Sequence, residues 1–259
     1  NKAQKSVQLK SEALNDLALF FAHTEEVDGA YRYYRSKISD EETHKQMAKL
    51  AKIYNGQGKH NFEVAVYKLL IEKEPYAEKA PSHQSAIVRA FASLNQKDLV
   101  RENILRLIEQ YRPGSPWYIY QEQNKRKNAI GKAYDLTENA LRELVTEYHQ
   151  DAQKTKDVLT YELARDIYKQ YIDFFPESEH VYRMRFFYAE IVFHLGDYEI
   201  ASKEYDRVVK HDVNGAYTKT AAYAAILAHE KIVSGVKKEK KEGKIGTESK
   251  NKKGNLGKI

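Results

Sequence analysis

The sequence predicts an all-α protein in which tandem helix-turn-helix hairpins stack side by side as an α-solenoid. Small residues pair with aromatic or aliphatic residues one helical turn away, and this pattern recurs about every 35 residues. The 259 residues include only 5 prolines and 12 glycines, so helices can continue without frequent breaks. Hydrophobic residues make up 42% of the chain and charged residues 31%, which suits a helix-rich protein with a thin core.

The first three predicted hairpins lie between residues 14 and 107. Ala18 and Ala30 are twelve residues apart on the two helices of the first hairpin, and small side chains let antiparallel helices approach closely. The second helices carry a small or β-branched residue at Ala30, Ala65 and Val100, with a spacing of 35 each time, and Gly58 is predicted to mark the turn of the second hairpin. The leading helices are marked by Leu14, Leu17, Ala18 and Phe21, by Met47, Leu50, Ala51 and Tyr54, and by Ile87, Val88 and Phe91.

The middle of the chain departs from this spacing. Val100 and Ala164 are 64 residues apart, which is short of two repeats. Residues 112 to 155 are therefore predicted to hold an irregular or unequal helical pair. The stretch "YRPGSP" at 111 to 116 is the clearest break in the chain and a candidate hinge.

The clearest hairpin comes late in the chain. Ala189 and Ala201 are twelve residues apart, and Tyr205 follows Ala201 by one helical turn. Gly196 and Asp197 are predicted to form the turn between the two helices, because glycine commonly ends one helix where the next begins.

Residues 216 to 233 are predicted to form the first helix of one more hairpin. Its small residue at the helix contact is predicted to be Ala224, 35 residues after Ala189. The helical array is thus predicted over residues 1 to 235. Residues 236 to 259 are rich in Lys with almost nothing apolar to bury, and they are predicted to form a disordered tail. The alternative is that the last helix belongs to a longer array.

A period of about 34 residues built from helix-turn-helix units is typical of the tetratricopeptide repeat. Residues 11 to 230 resemble that family. The resemblance implies a right-handed superhelix whose first helices line a concave groove. The best matches are Leu14, Leu17, Ala18, Phe21, Ala30 and Tyr34 in one copy, and Ala164, Tyr168 and Pro176 in another.

Residues 163 to 210 narrow the resemblance. In sequence order they contain an Ala, two aromatic residues, a Pro-x-Ser motif, an aromatic-rich helix, Gly-Asp-Tyr, and an Ala followed by an aromatic residue. This order is similar to tetratricopeptide proteins of the bacterial envelope, whose repeats are docking surfaces. The likeness implies a periplasmic or envelope-associated protein, with a cytoplasmic one as the alternative.

Charge and composition exclude several classes of function. The net charge is +6, and the nine Lys and three Glu of residues 236 to 259 account for all of it. The remaining chain has 34 basic and 34 acidic residues, so a basic nucleic-acid-binding face is not expected. The chain has no Cys, which excludes disulfides and thiolate chemistry. No segment approaches the roughly 20 apolar residues of a membrane span.

The sequence offers no catalytic motif and predicts no cofactor. The nine His are scattered, without a His-Glu-x-x-His zinc pair, a Gly-x-Ser-x-Gly elbow or a glycine-rich phosphate loop. Two other classes stay open. One is an enzyme or an enzyme's helical domain, which a buried cluster of titratable side chains in residues 117 to 153 would favour. The other is an anionic-surface binder that contacts lipid or nucleic acid through the basic tail.

The resemblance also implies which side chains face the groove. In the N-terminal copies these are Asn15, Lys52, Asn55 and Arg89, with Lys45 nearby, and in the sixth copy Phe186, Glu190 and Phe193. Basic and amide groups donate well to a carboxylate or an acidic segment. The alternatives are a solvated charged face for the first set and packing between repeats for the aromatics. The predicted function is a non-enzymatic scaffold that docks a peptide or protein partner in a bacterial envelope complex.

Overall fold

The computed structural model of the chain is all-helical, which confirms the predicted class. It describes the backbone of residues 2 to 253 and the side chains of residues 12 to 235, and this part contains no strand. The helices are α1 (Lys2–Thr24), α2 (Val27–Lys37), α3 (Asp40–Gly56), α4 (His60–Lys73), α5 (Ala80–Ser93), α6 (Lys97–Tyr111), α7 (Pro116–Gln123), α8 (Lys127–Thr155), α9 (Val158–Phe174), α10 (Val181–His194), α11 (Tyr198–His211) and α12 (Thr218–Lys253).

The helices form two compact units, Asn1–Leu141 and Arg142–Ile259. Consecutive helices pack on one another within each unit, as in α3 to α6 and in α9 to α12. Among the described residues, no helix is both long and apolar enough to cross a bilayer. The predicted disordered tail covers residues 236 to 259. The described backbone of α12 continues to Lys253, and the side chains after residue 235 and the backbone after residue 253 lie outside the described part of the chain.

Short turns with one left-handed residue join the helices of a hairpin. Gly58 has a φ of 69° and Gly196 a φ of 88°, which confirms the two predicted glycine turns. The same conformation occurs in non-glycine residues between other helix pairs. The left-handed residue stands directly before the N-cap residue of α2, α4, α6, α9 and α11, at Glu25, Gly58, Asn95, Lys156 and Gly196.

Proline marks the longer loops between hairpins. Pro75, Pro113 and Pro176 each follow the C-cap residue of a helix, namely α4, α6 and α9. Proline has no N–H to donate to the preceding turn, and its ring disfavours helical backbone in the residue before it. These three residues therefore end their helices and separate one hairpin from the next.

Residues 112 to 155 hold the short helix α7, with 8 residues, and the long helix α8, with 29. Ser115 caps α7 by accepting a hydrogen bond from the Tyr118 amide at 3.1 Å. Trp117 is only 3% exposed, packs edge-on against Tyr111 and donates through Nε1 to the Ala77 carbonyl at 2.8 Å. Trp117 therefore anchors the irregular region to the hairpin before it.

Most of the small residues predicted to lie at helix contacts are buried, but the prediction for Ala65 is wrong. Ala18, Ala30 and Ala201 are all 0% exposed, whereas Ala65 is exposed. Counted from the left-handed turn residue, the equivalent of Ala30 and Ala201 is Glu63, which is 4% exposed. A constant period of 35 misplaces α4 because the true steps from Ala30 to Glu63 and from Glu63 to Val100 are 33 and 37 residues.

The predicted small position in α12 is also displaced. Ala224 is half-buried, and its neighbour Ala225 is 6% exposed. Ala221 and Ala228 are both 0% exposed, so the buried stripe of α12 runs through these three alanines. A shift of one residue turns a helix face by about 100° because the helix has 3.6 residues per turn.

Polar pairs 19 residues apart join the two helices of several hairpins. Gln84 donates to Asn103 at 3.1 Å, the His149 ring bonds the Tyr168 hydroxyl at 3.0 Å, and Arg185 donates to Glu204 at 2.7 Å. Counted from the left-handed turn residue of each hairpin, the first and third pairs occupy identical positions, eleven residues before and eight residues after it, whereas His149 and Tyr168 stand seven before and twelve after. This equivalence supports repeat-like packing of the described helices.

Candidate functional site

Three of the predicted site residues share one face of α3. Lys45, Lys52 and Asn55 are all exposed, and their spacings of seven and three residues place them on one side of the helix. Lys45 pairs with Glu41 at 2.9 Å, and the hydrogen bond to Glu41 raises the pKa of Lys45. The Asn55 amide donates to the buried Glu63 carboxylate at 2.9 Å. Within the described residues, Lys52 has no hydrogen bond or ion pair.

Asn15 and Arg89 lie on other first helices of the same unit. Asn15 is half-buried and accepts a hydrogen bond from Lys49, which joins α1 to α3. Arg89 on α5 is exposed and contacts Ser85 at 3.5 Å, at the limit of a hydrogen bond. Lys52 and Arg89 are therefore the two predicted cations that no acidic side chain neutralises in the described part of the chain.

The three predicted residues of α10 converge on Tyr205 of α11. Glu190 accepts a hydrogen bond from the Tyr205 hydroxyl at 2.5 Å, and the rings of Phe186 and Phe193 lie 6.3 and 6.4 Å from the Tyr205 ring. Burial raises the pKa of Tyr205, and the hydrogen bond to Glu190 raises it further. The phenol therefore stays protonated and acts as the donor. These contacts are internal to the hairpin and support the packing interpretation, while partner contact by these residues stays a prediction.

Phe186 has the burial of a core residue. Its side chain is 6% exposed, and its ring stacks on Tyr217 at 4.6 Å between centroids. Tyr217 also contacts Phe187 at 5.6 Å, and its amide donates to the Tyr182 hydroxyl at 2.9 Å. The sequence pattern misses Tyr217, because it stands 31 residues from Phe186 in a loop, where no helical periodicity applies.

The region that would favour an enzyme contains one notable buried base, His149. Its Nδ1 lies 3.0 Å from the Tyr168 hydroxyl, and the Phe187 ring packs edge-on at 5.5 Å. Burial lowers the pKa of His149 to about 4 and raises the pKa of Tyr168, so both are neutral near pH 7. The Phe187 ring packs against both residues, and Gln153 Nε2 lies 3.1 Å from His149 Nε2, so the pair has the surroundings of a core hydrogen bond.

A half-enclosed cleft of about 490 Å³ lies between α9, α10 and α11 of the second unit. Its floor is Glu204, whose side chain is 8% exposed and which pairs with both Arg185 and Arg207. The repeat pattern in the sequence does not predict this cleft. One partial signal exists, because Glu204 and Arg207 are three residues apart on one helix, a spacing at which charged side chains meet.

No protein-family model matches the chain, and no curated protein matches it.

Proposed function

We propose that this protein is a non-enzymatic scaffold whose helical hairpins dock a peptide or protein partner in a bacterial envelope complex. The proposal includes a right-handed solenoid of tetratricopeptide type, to which the equivalent turns and the 19-residue polar links give support. In such arrays each hairpin contacts only its neighbours, and the exposed helix faces are available for binding.

The observation that carries the proposal is the exposed pair of cations on two first helices, Lys52 of α3 and Arg89 of α5. Several other exposed basic residues of this unit are paired within the chain, as Lys45 is with Glu41 and Arg106 with Glu102. A cation that is not neutralised within its own chain attracts acidic groups of a partner and speeds their encounter. An acidic or carboxylate-bearing segment is the complementary partner.

The test is partner capture by photo-crosslinking in the native source. A photoreactive residue at position 52 or 89 is expected to give the same crosslinked partner, and one at position 32, on α2, is expected to give none. The double variant Lys52→Glu and Arg89→Glu is expected to reduce capture about tenfold, because it replaces two attractive contacts with repulsive ones.

Arg32→Glu is the matched control, since Arg32 is an exposed cation on a second helix. It should leave capture unchanged, and circular dichroism should show that every variant keeps its helix content. Equal capture by the double variant and the unchanged protein would contradict docking on these first helices.

The envelope location rests on the likeness of residues 163 to 210 to envelope repeat proteins. Fractionation of cells from the native source tests it directly, with recovery in the periplasmic or membrane-associated fraction expected. Recovery with the cytosolic markers alone would favour the cytoplasmic alternative.

A further inference from the structure

The cleft between α9, α10 and α11 has a charge arrangement suited to an anionic ligand. Three basic and two acidic side chains line it, so its net charge is +1. They are Lys169 and Asp173 of α9, Arg185 of α10, and Glu204 and Arg207 of α11. The cleft is only half enclosed, and Lys169, Asp173 and Arg207 are exposed to solvent.

A buried carboxylate holds the two guanidinium groups in place. Glu204 is buried and accepts a hydrogen bond from Arg185 at 2.7 Å, and it also pairs with Arg207 on its own helix. A carboxylate removed from water needs such partners, because an unpaired buried charge is strongly unfavourable. One carboxylate shared by two guanidinium groups leaves one positive charge in excess.

The two arginines retain donors for a ligand. Each guanidinium has five N–H groups, and the pairing with Glu204 involves one nitrogen of each. The Arg207 side chain is 61% exposed and Arg185 is 19% exposed, so Arg207 stands at the mouth and Arg185 lies deeper. A fork of fixed N–H groups matches the two oxygens of a carboxylate.

The remaining lining residues add an apolar wall and a replaceable ion pair. Ile172 and Tyr188 are 8% and 7% exposed. Burial, and to a smaller extent the negative charge of Glu204, raises the pKa of Tyr188, so its hydroxyl remains protonated. Lys169 and Asp173 pair at 2.9 Å, but both are more than half exposed. Exposed pairs of this kind are weak, so Lys169 can turn to a ligand anion at little cost.

We infer that this cleft binds the carboxylate of an acidic side chain, Asp or Glu, in an extended segment of a protein partner. A single negative charge matches the net charge of the cleft better than a doubly charged phosphate does. The volume of about 490 Å³ is in the range of small-ligand sites and accommodates a short segment. The half-open shape lets the segment pass across the cleft, which favours a side chain over a chain terminus.

The residues of this site belong to the second unit, whereas Lys52 and Arg89 belong to the first. The inference rests on the proposed function only because its ligand is a segment of a protein partner. A peptide titration tests the cleft without any partner present. Its failure would leave the crosslinking result untouched, and failure of crosslinking at positions 52 and 89 would leave the titration untouched.

The test is a nuclear magnetic resonance titration of the full ¹⁵N-labelled chain with an acetylated, amidated peptide, Ala-Leu-Ala-Glu-Leu-Ala. The Glu peptide is expected to shift the Arg207 and Arg185 side-chain signals saturably, and a peptide with Gln in place of Glu is expected to bind about tenfold more weakly. Arg207→Gln should weaken the Glu peptide about tenfold, the size expected when a hydrogen bond to a charged group is lost.

Arg165→Gln is the matched control, because it removes the same charge from the same unit at a position paired with Asp166 outside the cleft. It should change binding less than twofold. Glu204→Gln should instead tighten binding, since the internal competitor for both guanidinium groups is lost, whereas a purely structural role for Glu204 predicts weakening. Lys169→Gln at the exposed rim gives a second variant should Arg207→Gln unfold.

Four results would overturn the inference. The first is equal weakening by Arg207→Gln and Arg165→Gln. The second is equal binding of the Glu and Gln peptides. The third is binding of a peptide only when its terminal carboxylate is free. The fourth is preference for inorganic phosphate over the Glu peptide in a parallel titration.

Discussion

Several buried polar side chains of this protein are hydrogen-bonded across a helix pair. Glu63 is 4% exposed at a position where α2 and α11 have alanine, and it accepts a hydrogen bond from Asn55 and lies 3.0 Å from the His60 ring. Gln84 donates to Asn103 in the same way across α5 and α6. A buried polar atom without such a partner destabilises the fold by about 1 to 3 kcal/mol. These pairs therefore limit which residues can be exchanged singly.

The buried His149 is expected to make the free energy of unfolding depend on pH. Burial lowers the pKa of His149 to about 4, against an ordinary value near 6.5. Above pH 6.5 the ring is neutral in both the folded and the unfolded states. As the pH falls from 6.5 towards 4, the unfolded chain binds a proton that the folded protein does not. The free energy of unfolding should therefore decrease by up to about 3 kcal/mol over this window.

Urea unfolding at pH 7.5, 5.5 and 4.5 measures this effect. His149→Gln keeps a hydrogen-bonding side chain beside Tyr168 but cannot titrate, so its stability should fall less steeply below pH 6.5 than that of the unchanged protein. His83→Gln is a useful companion, because burial also lowers the pKa of His83 to about 4. Parallel slopes for the unchanged protein and His149→Gln would show that His149 does not carry the effect.

At the scale of the helix and turn, the hairpins share one turn conformation but not one turn residue. A left-handed residue precedes the second helix at Gly58 and Gly196, and also at Glu25, Asn95 and Lys156. Left-handed backbone costs a non-glycine residue about 1 to 2 kcal/mol. This cost is small beside the apolar packing of a whole helix, so the tertiary contacts can impose the conformation on any residue type.

Two glycines provide a matched test of this turn. Gly196→Ala should lower the free energy of unfolding by about 1 kcal/mol, because φ is +88° there and the added Cβ meets no atom within 4 Å. Gly131→Ala adds a Cβ in equally open space, but inside α8, and should raise stability by about 0.5 to 1 kcal/mol. Thermal unfolding of both variants gives the comparison, and a change of the same sign in both would contradict the conformational explanation.

At the scale of the whole molecule, the excess charge belongs to the end of the sequence. Residues 236 to 259 supply nine Lys and three Glu, and the rest of the chain is balanced at 34 basic and 34 acidic residues. Binding to a polyanion depends on the number of cations that meet it and weakens with salt. Any affinity of this protein for an anionic surface is therefore expected to come from these residues.

Deleting residues 236 to 259 should abolish retention on heparin at pH 7.5 and leave partner capture through Lys52 and Arg89 intact. A chain whose nine tail Lys residues are replaced by Gln is the control for length, and it should behave like the deletion. Heparin retention that survives both changes would show that the folded part carries the basic surface.

The sequence by itself determined the helical class, the hairpin repeat, the glycine turns at Gly58 and Gly196, and most of the small positions, because helix periodicity and turn chemistry are local. Only the tertiary structure decided which side chains are used in packing. It turned Ala65 outwards and buried Glu63, and it brought Phe186, Glu190 and Phe193 onto Tyr205.

The tertiary structure also assembled the cleft around Glu204 from three helices. The physical reason is register. A step of 33 residues instead of 35 rotates the inward face of α4 by two residues, and contacts between separate helices depend on that rotation. Local pattern specifies the helices, but loop length and helix approach decide which of their residues meet.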